Sequence, residues 1–285
     1  MKEEVSVCWI RRDLRLYDHA ALYHALDSGY PVIVLFIFDT TILDLLEDRE
    51  DKRVAFIYEQ LSKINTELKK SGSSVYVYNG TPLNAFKDLN KEFSIKEVFT
   101  NNDYEPYAIS RDAEIKSLLQ TKGIHFFSYK DQVIFERDEV LKPDGKPYTI
   151  YTPYSKSWMS KYLNDTVKSF EIKKLKNFYQ HTSLPFPSLE KMGFKYISSG
   201  VNDFVPDIDV IRNYEATRNF PAVVGTSHVS VHLRFGTVSI REMVKLANEL
   251  NTTFLKELIW REFFMMILFH FPSVINHAFK PKYDQ

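Results

Sequence analysis

The sequence predicts an α/β domain built on a parallel sheet, followed by an all-α domain. Three observations carry this. Residues 1–130 alternate short apolar runs, rich in β-branched residues, with helical segments. The runs are continuously apolar rather than alternating, as in strands buried on both faces, which implies a parallel sheet covered by helices. From about Val210 the pattern is helical.

Taken in order, strands are expected at residues 5–10, 32–38, 74–78, 96–100 and 124–129. The clearest helix between them places Val54, Ile57, Leu61, Ile64 and Leu68 on one stripe and stops near Gly72. Sheets of this class bind ligands beyond the C-terminal ends of their strands. The chain contains neither G-x-G-x-x-G nor G-x-x-x-x-G-K-[ST], so a glycine-fingerprint dinucleotide site is not encoded. From 131 to 209 the periodicity weakens. Pro143, Pro147, Pro153, Pro185, Pro187 and Pro206 punctuate it, with the basic run Lys173-Lys174-Leu175-Lys176 between them. This reads as a long inter-domain connection. The expected division is therefore 1–130, 131–209 and 210–285. In the last part, Ser239 with Glu242 three residues on forms a capping box for a helix over 238–250. Thr253 is a candidate cap for the next helix, 254–271, closed by Pro272. That helix is apolar on nearly every side and is expected to lie deep in its domain.

Composition narrows the function. With 285 residues and 44% hydrophobic content there is material for one large or two ordinary cores. The 22 Phe and 17 Tyr serve either as core filler or as the lining of a pocket for a planar ligand. Formal net charge is zero, but residues 212–285 carry 9 Lys+Arg against 6 Asp+Glu, together with His228, His232, His270 and His277. A mildly basic C-terminal part permits polyanion binding without demanding it. The single Cys8 excludes an intramolecular disulfide and a Cys-rich metal site and suits a reducing compartment. The opening apolar run is too short for a signal peptide, and no stretch of about 18 apolar residues would cross a membrane. A cytoplasmic protein without membrane contact or bound metal is expected.

Two constellations could carry chemistry. Glu257, Trp260, Arg261 and Phe264 fall on one helical face. They are either a Glu257–Arg261 pair worth about 0.3–0.5 kcal/mol beside a core tryptophan, or a pocket wall whose indole stacks on a ring while the polar groups fix it. Gly225-Thr226-Ser227-His228-Val229-Ser230 places hydroxyls and backbone N–H groups at a helix start. It is either an ordinary N-cap or a phosphate seat. Arg218, Arg234 and Arg241 nearby are either phosphate partners or solvated charges. The turn Trp9–His19 packs three arginines and two aspartates at the end of the first strand. It reads as a charge network tying that strand to a neighbouring loop, with His19 in a capping or surface role. No HExxH, G-x-S-x-G or deaminase signature is present.

Together these stretches resemble the DNA photolyase/cryptochrome family, most closely its photolyases. CWIRRDLRLYDHAAL (8–22) is similar to the family's W-x-R-x-D-L-R-x-x-D-N-x-A-L, with His19 in the usual Asn place. YTIYTPYSKSW (148–158) is similar to F-T-P-[YF]-x-K-x-W. NDYEPYAISRD (102–112), Tyr214, Arg218, the TSxxS run and ELIWREFF follow in family order. The resemblance implies an α/β antenna domain, a connector and a helical FAD-binding domain. It implies light-driven repair of cyclobutane pyrimidine dimers in DNA, the excited reduced FAD lending an electron to a dimer flipped out of the helix. It implies flavin contacts at Tyr214, Thr226, Ser227, Val229, Ser230, Phe254 and Arg261. Phe254 stands where Trp is frequent. Trp260 would stack on the dimer, Glu257 would hydrogen-bond its bases, and Arg218 would meet the DNA backbone. Tyr107-Ala108 stands where folate-binding members carry Asn-Glu, so a second antenna chromophore is of open identity. The family's helical domain extends further than Gln285 and holds the rest of the flavin cradle and a tryptophan chain. Trp9, Trp158 and Trp260, the tryptophans present here, do not match that chain. The expectation is thus a portion of a photolyase, of unknown oligomeric state. A cryptochrome-like photoreceptor and a flavin-free binding module are the alternatives. The module reading expects apolar helical surface around 263–271 to be exposed.

Overall fold

The computed structural model describes residues 2–283. The N-terminal part runs β1 (Glu4–Ile10), α1 (Ala20–Leu26), β2 (Val32–Asp39), α2 (Thr40–Leu43), α3 (Lys52–Lys70), β3 (Val75–Gly80), α4 (Pro82–Glu92), β4 (Ser94–Asn101), α5 (Pro106–Gln120) and β5 (His125–Tyr129). The five strands form one sheet in the order β3-β2-β1-β4-β5, every pair parallel. The continuous apolar runs are the reason. β2 is buried at all eight positions, because helices cover both faces. One face holds Cys8, Ile10, Val34 and Phe36 against α1 and α3. The other holds Val7, Trp9, Ile33 and Leu35 against α4 and α5. The order reverses between β1 and β4, which opens a crevice at their C-terminal ends.

Residues 131–209 are more ordered than their weak periodicity suggests. They contain α6 (Tyr151–Asn164), whose Tyr154 and Trp158 are buried in the helical core with Ile134 and Phe135. The later part returns over the sheet. The Tyr179 amide donates to the Val32 carbonyl at 2.9 Å, and the Val77 amide donates to the Pro185 carbonyl at 2.7 Å. The second bond occupies the outer edge of β3, an edge that would otherwise be open to pairing.

The C-terminal part contains α7 (Ile208–Arg212), α8 (Tyr214–Thr217), α9 (Ser230–Phe235), α10 (Ile240–Leu250) and α11 (Thr252–His270). The Ser239 hydroxyl caps α10, accepting from the amides of Arg241 and Glu242. The cap of α11 is Asn251, not Thr253: the Asn251 side chain accepts from the Phe254 amide at 3.0 Å. Asn251 has extended backbone (φ −160°), whereas Thr253 already lies inside the helix. Nor is α11 deep on all sides. Phe254, Leu255, Leu258, Ile259, Phe263, Met266 and Ile267 are buried, but Phe264 is 60% exposed. The apolar surface expected over 263–271 is therefore only partly exposed.

The two parts meet through buried charge. Arg15 donates to Asp131 at 2.6 Å, and Arg241 donates to Asp131 at 2.8 Å and to Asp18 at 2.9 Å. Asp18 also accepts from Ser239. Arg15 and Asp18 of the turn after β1 thus bind the connection and α10, whereas Arg11 pairs with Asp112 and Arg12 with Asp103 and Glu105, so the network reaches more than one neighbouring loop. His19 caps α1 by accepting from the Leu22 amide at 3.1 Å, and its other nitrogen lies 3.1 Å from Asp13. Gly236 ends α9 in the left-handed region (φ 64°) against this turn, where a Cβ would stand 2.2 Å from the Arg12 carbonyl oxygen.

Candidate active site

Three elements converge on a cavity of about 860 Å³. The first is α8, which begins its short run with Tyr214 lining the cavity. The second is the turn before α9. Gly225 there is buried against Thr217, where a Cβ would meet the Thr217 hydroxyl at 2.7 Å, so the chain turns on glycine for lack of room. Thr226, Ser227, Val229 and Ser230 follow and line the cavity. His228 lines it too, with left-handed backbone at φ 55°. The third is α11, which supplies Phe254, Glu257, Leu258 and Arg261 at helical spacing. The connection closes the remaining side with Asn202, Asp203 and Phe204.

The electrostatics are uneven. Arg261 donates to the carbonyls of Gln132 at 2.7 Å and Leu233 at 3.2 Å. No carboxylate among the described residues lies within ion-pair distance of it. Burial, reinforced by Arg12 and opposed by Glu262, lowers its guanidinium to about 10. The expected Glu257–Arg261 pair is not made. Glu257 instead pairs with Arg218, both side chains about one-third exposed (35% and 33%) at the cavity rim. Arg218 lies over the Tyr214 ring at 5.3 Å, and Tyr214 meets Phe254 edge-on at 5.1 Å. Among the described residues, the side-chain hydroxyls of Thr226, Ser227 and Ser230 find no hydrogen-bond partner.

Trp260 does not line the cavity. It lies one turn along α11 from Glu257, stacked on Tyr151 with ring centroids 3.5 Å apart and planes at 7°. Of the residues the sequence singles out, the structure thus gathers Tyr214, Thr226, Ser227, Val229, Ser230, Phe254, Glu257 and Arg261 around one cavity. Arg218 joins them through Glu257, and Trp260 stands beside them.

Sequence reasoning missed Glu262. It is 3% exposed and accepts hydrogen bonds from the amides of Ile134 (2.7 Å) and Phe135 (3.0 Å) and from Trp158 Nε1 (2.5 Å). Burial pushes its carboxyl up to about 7 against the pull of those donors and of Arg261. A carboxylate on the apolar face of an otherwise hydrophobic helix was the available signal. The cavity wall at Asn202–Phe204 left none, because it comes from a stretch without periodicity.

A second, smaller cavity of about 200 Å³ occupies the crevice at the ends of β1, β2 and β4. Arg11, Arg12, Arg111 and Arg234 face Asp39, Asp103 and Glu105 around it. Tyr107 lines it and donates to Asp39 at 2.5 Å. Trp9 lines it as well, 1% exposed, with an indole N–H that has no partner among the described residues.

A family model described as DNA photolyase matches residues 6–173, more than half of the chain. The chain belongs to the DNA photolyase family. It is 28% identical over 305 residues to the deoxyribodipyrimidine photo-lyase of a Synechococcus species, a match covering 97% of this chain and 63% of that protein. Its fold is similar to that of a class III photolyase from Agrobacterium tumefaciens, with a TM-score of 0.79 and 23% identity, covering all (100%) of this chain and 63% of the other. It is also similar to an archaeal photolyase from Sulfolobus tokodaii solved with two FAD molecules, with a TM-score of 0.78, 24% identity, and coverage of 99% and 63%. The chain therefore spans a little under two thirds of the length of these family members. Among the described residues no helix is long and apolar enough to cross a membrane.

Proposed function

We propose that the larger cavity holds FAD and that the chain serves light-driven repair of cyclobutane pyrimidine dimers in DNA. One observation carries this reading. A half-buried arginine with no carboxylate within ion-pair distance among the described residues, the hydroxyls of Thr226, Ser227 and Ser230, and the rings of Tyr214 and Phe254 line one cavity that also carries a glutamate–arginine pair at its rim. A cation taken from water without a counter-charge is costly, and a diphosphate supplies the missing anion. The residues present thus fit the group. Thr226, Ser227, Ser230 and their N–H groups would hold the diphosphate, with Arg261 behind them, while Tyr214 and Phe254 would meet flat surface. When bound, reduced FAD would supply the photoexcited electron.

The remaining roles fall to this chain. Trp260 offers an indole face to a flipped-out base. Glu257, paired with Arg218, accepts hydrogen bonds from pyrimidine N–H groups. The remaining guanidinium N–H groups of Arg218, a side chain one-third exposed, would donate to a phosphodiester. The crevice cavity is the candidate place for a second chromophore, because the Trp9 N–H donor there lacks an acceptor.

The test is to incubate the purified chain with FAD, desalt it, and record the visible spectrum. The retained flavin is then reduced and illuminated with an oligonucleotide carrying one thymine dimer. Retained flavin and restored thymine absorbance are expected. Retained flavin without repair would limit the chain to flavin binding, and no retained flavin would remove the FAD reading of the cavity.

A further inference from the structure

We infer that Tyr151 is a positioning residue for Trp260, closing one face of the indole so that a flipped base stacks on the other. The inference deepens the DNA-binding reading above and rests on it. Its basis is geometric. Tyr151 is the first residue of α6, and its ring lies parallel to the indole at 3.5 Å between centroids and 7° between planes. Its hydroxyl donates to the Lys256 carbonyl at 2.9 Å. Lys256 is one turn before Trp260 on α11, so ring and hydroxyl grip the same helix at two points. Burial, with Glu257 nearby, pushes that hydroxyl up to about 12, so it stays a donor throughout the neutral range.

The first two turns of α6 are pinned as well. Trp158 and Tyr154 both meet the Glu262 carboxylate, at 2.5 and 3.5 Å. With α6 held two turns further on, the plane of Tyr151 is set by the fold and not by the solvent. Trp260 is half-buried, and Phe264 at 5.4 Å flanks it. A tryptophan on an open helix face samples several rotamers. One stacked on a tethered ring is held in a single plane, and a ligand ring that stacks on it loses less freedom.

The experiment uses the 285-residue chain, with binding of a single-stranded oligonucleotide carrying one thymine dimer compared with the undimerised oligonucleotide. W260A is the reference. Y151L removes the ring and Y151F removes only the tether. Because an aromatic pair adds a modest increment beyond its buried area, Y151L is expected to weaken dimer binding between about twofold and tenfold. It should leave the undimerised oligonucleotide unaffected, and Y151F should restore most of the loss. Tryptophan fluorescence of the free protein should rise in Y151L and stay near the parent in Y151F, with far-ultraviolet circular dichroism unchanged in both. If W260A weakens dimer binding and Y151L does not, Tyr151 has no positioning role. If W260A is itself without effect, the DNA-binding reading of Trp260 fails and the inference falls with it.

Discussion

At the scale of single residues, the site separates groups that hold the fold from groups that face the cavity. Glu257 and Glu262 lie five positions apart on one helix and do opposite things. Glu257 is at the rim, neutralised by Arg218 and open to solvent. Glu262 is buried and satisfied by three N–H donors from two other segments. Replacing Glu262 by alanine leaves those donors unpaired in a dry environment, each at about 1–3 kcal/mol. Glu262→Ala is therefore expected to lose at least about 3 kcal/mol of stability, since the loss of several buried partners adds to the cavity left behind. Chemical denaturation would measure it, and a loss under about 1 kcal/mol would mean water replaces the carboxylate. The resemblance picked out Glu257, Trp260 and Arg261 because the motif ELIWREFF is read as a string. It did not pick out Glu262, the third charged residue of that string, because its partners Ile134, Phe135 and Trp158 are more than a hundred positions away.

At the scale of elements, the strands follow from composition and the helix ends from local hydrogen bonds. The parallel sheet appears where continuous β-branched runs do, with bounds one or two residues from those expected. Helix starts were legible where a single capping residue precedes the apolar pattern, as at Ser239. At α11 the expected cap, Thr253, was wrong, because the Asn251 side chain two residues earlier makes the bond. The consequence of that correction is measurable. Asn251→Ala should cost about 1 kcal/mol, the usual worth of an N-cap side chain. Thr253→Ala should stay within about 0.5 kcal/mol of the parent, as for a substitution that removes no cap. Equal losses would mean the cap is shared. The helix α6 was not legible, because Pro153 and a polar face dilute its apolar pattern. It forms because Tyr154 and Trp158 find a core on α11.

At the scale of the whole molecule, buried ion pairs join the sheet domain to the helical part. Asp131 lies at their centre. Burial would raise its carboxyl, but Arg15 first, then His19 and Arg241, outweigh that and hold it well below the usual carboxylate range. A depressed folded-state pKa contributes stability that is complete above the unfolded value of about 3.9 and is lost as pH falls below it. The parent chain should therefore lose melting temperature steeply below about pH 4. Asp131→Asn should begin at a lower melting temperature at neutral pH, because it leaves two buried arginines short of charge, and should show a flatter acid limb. An unchanged acid limb would move the acid-labile contact elsewhere, to Asp13 or Asp103, which are also depressed. The sequence by itself determined the parallel α/β class, the helical remainder and the motifs of the family. Each is written in neighbouring residues, as a run of buried strand positions, a helical stripe or a contiguous string. Only the tertiary structure decided that Arg261 lines the cavity with no carboxylate paired to it among the described residues, that Glu257 pairs with Arg218, and that Tyr151 covers Trp260. Those outcomes depend on which distant side chain arrives first at a shared space, and burial, not spacing, sets what such an encounter is worth.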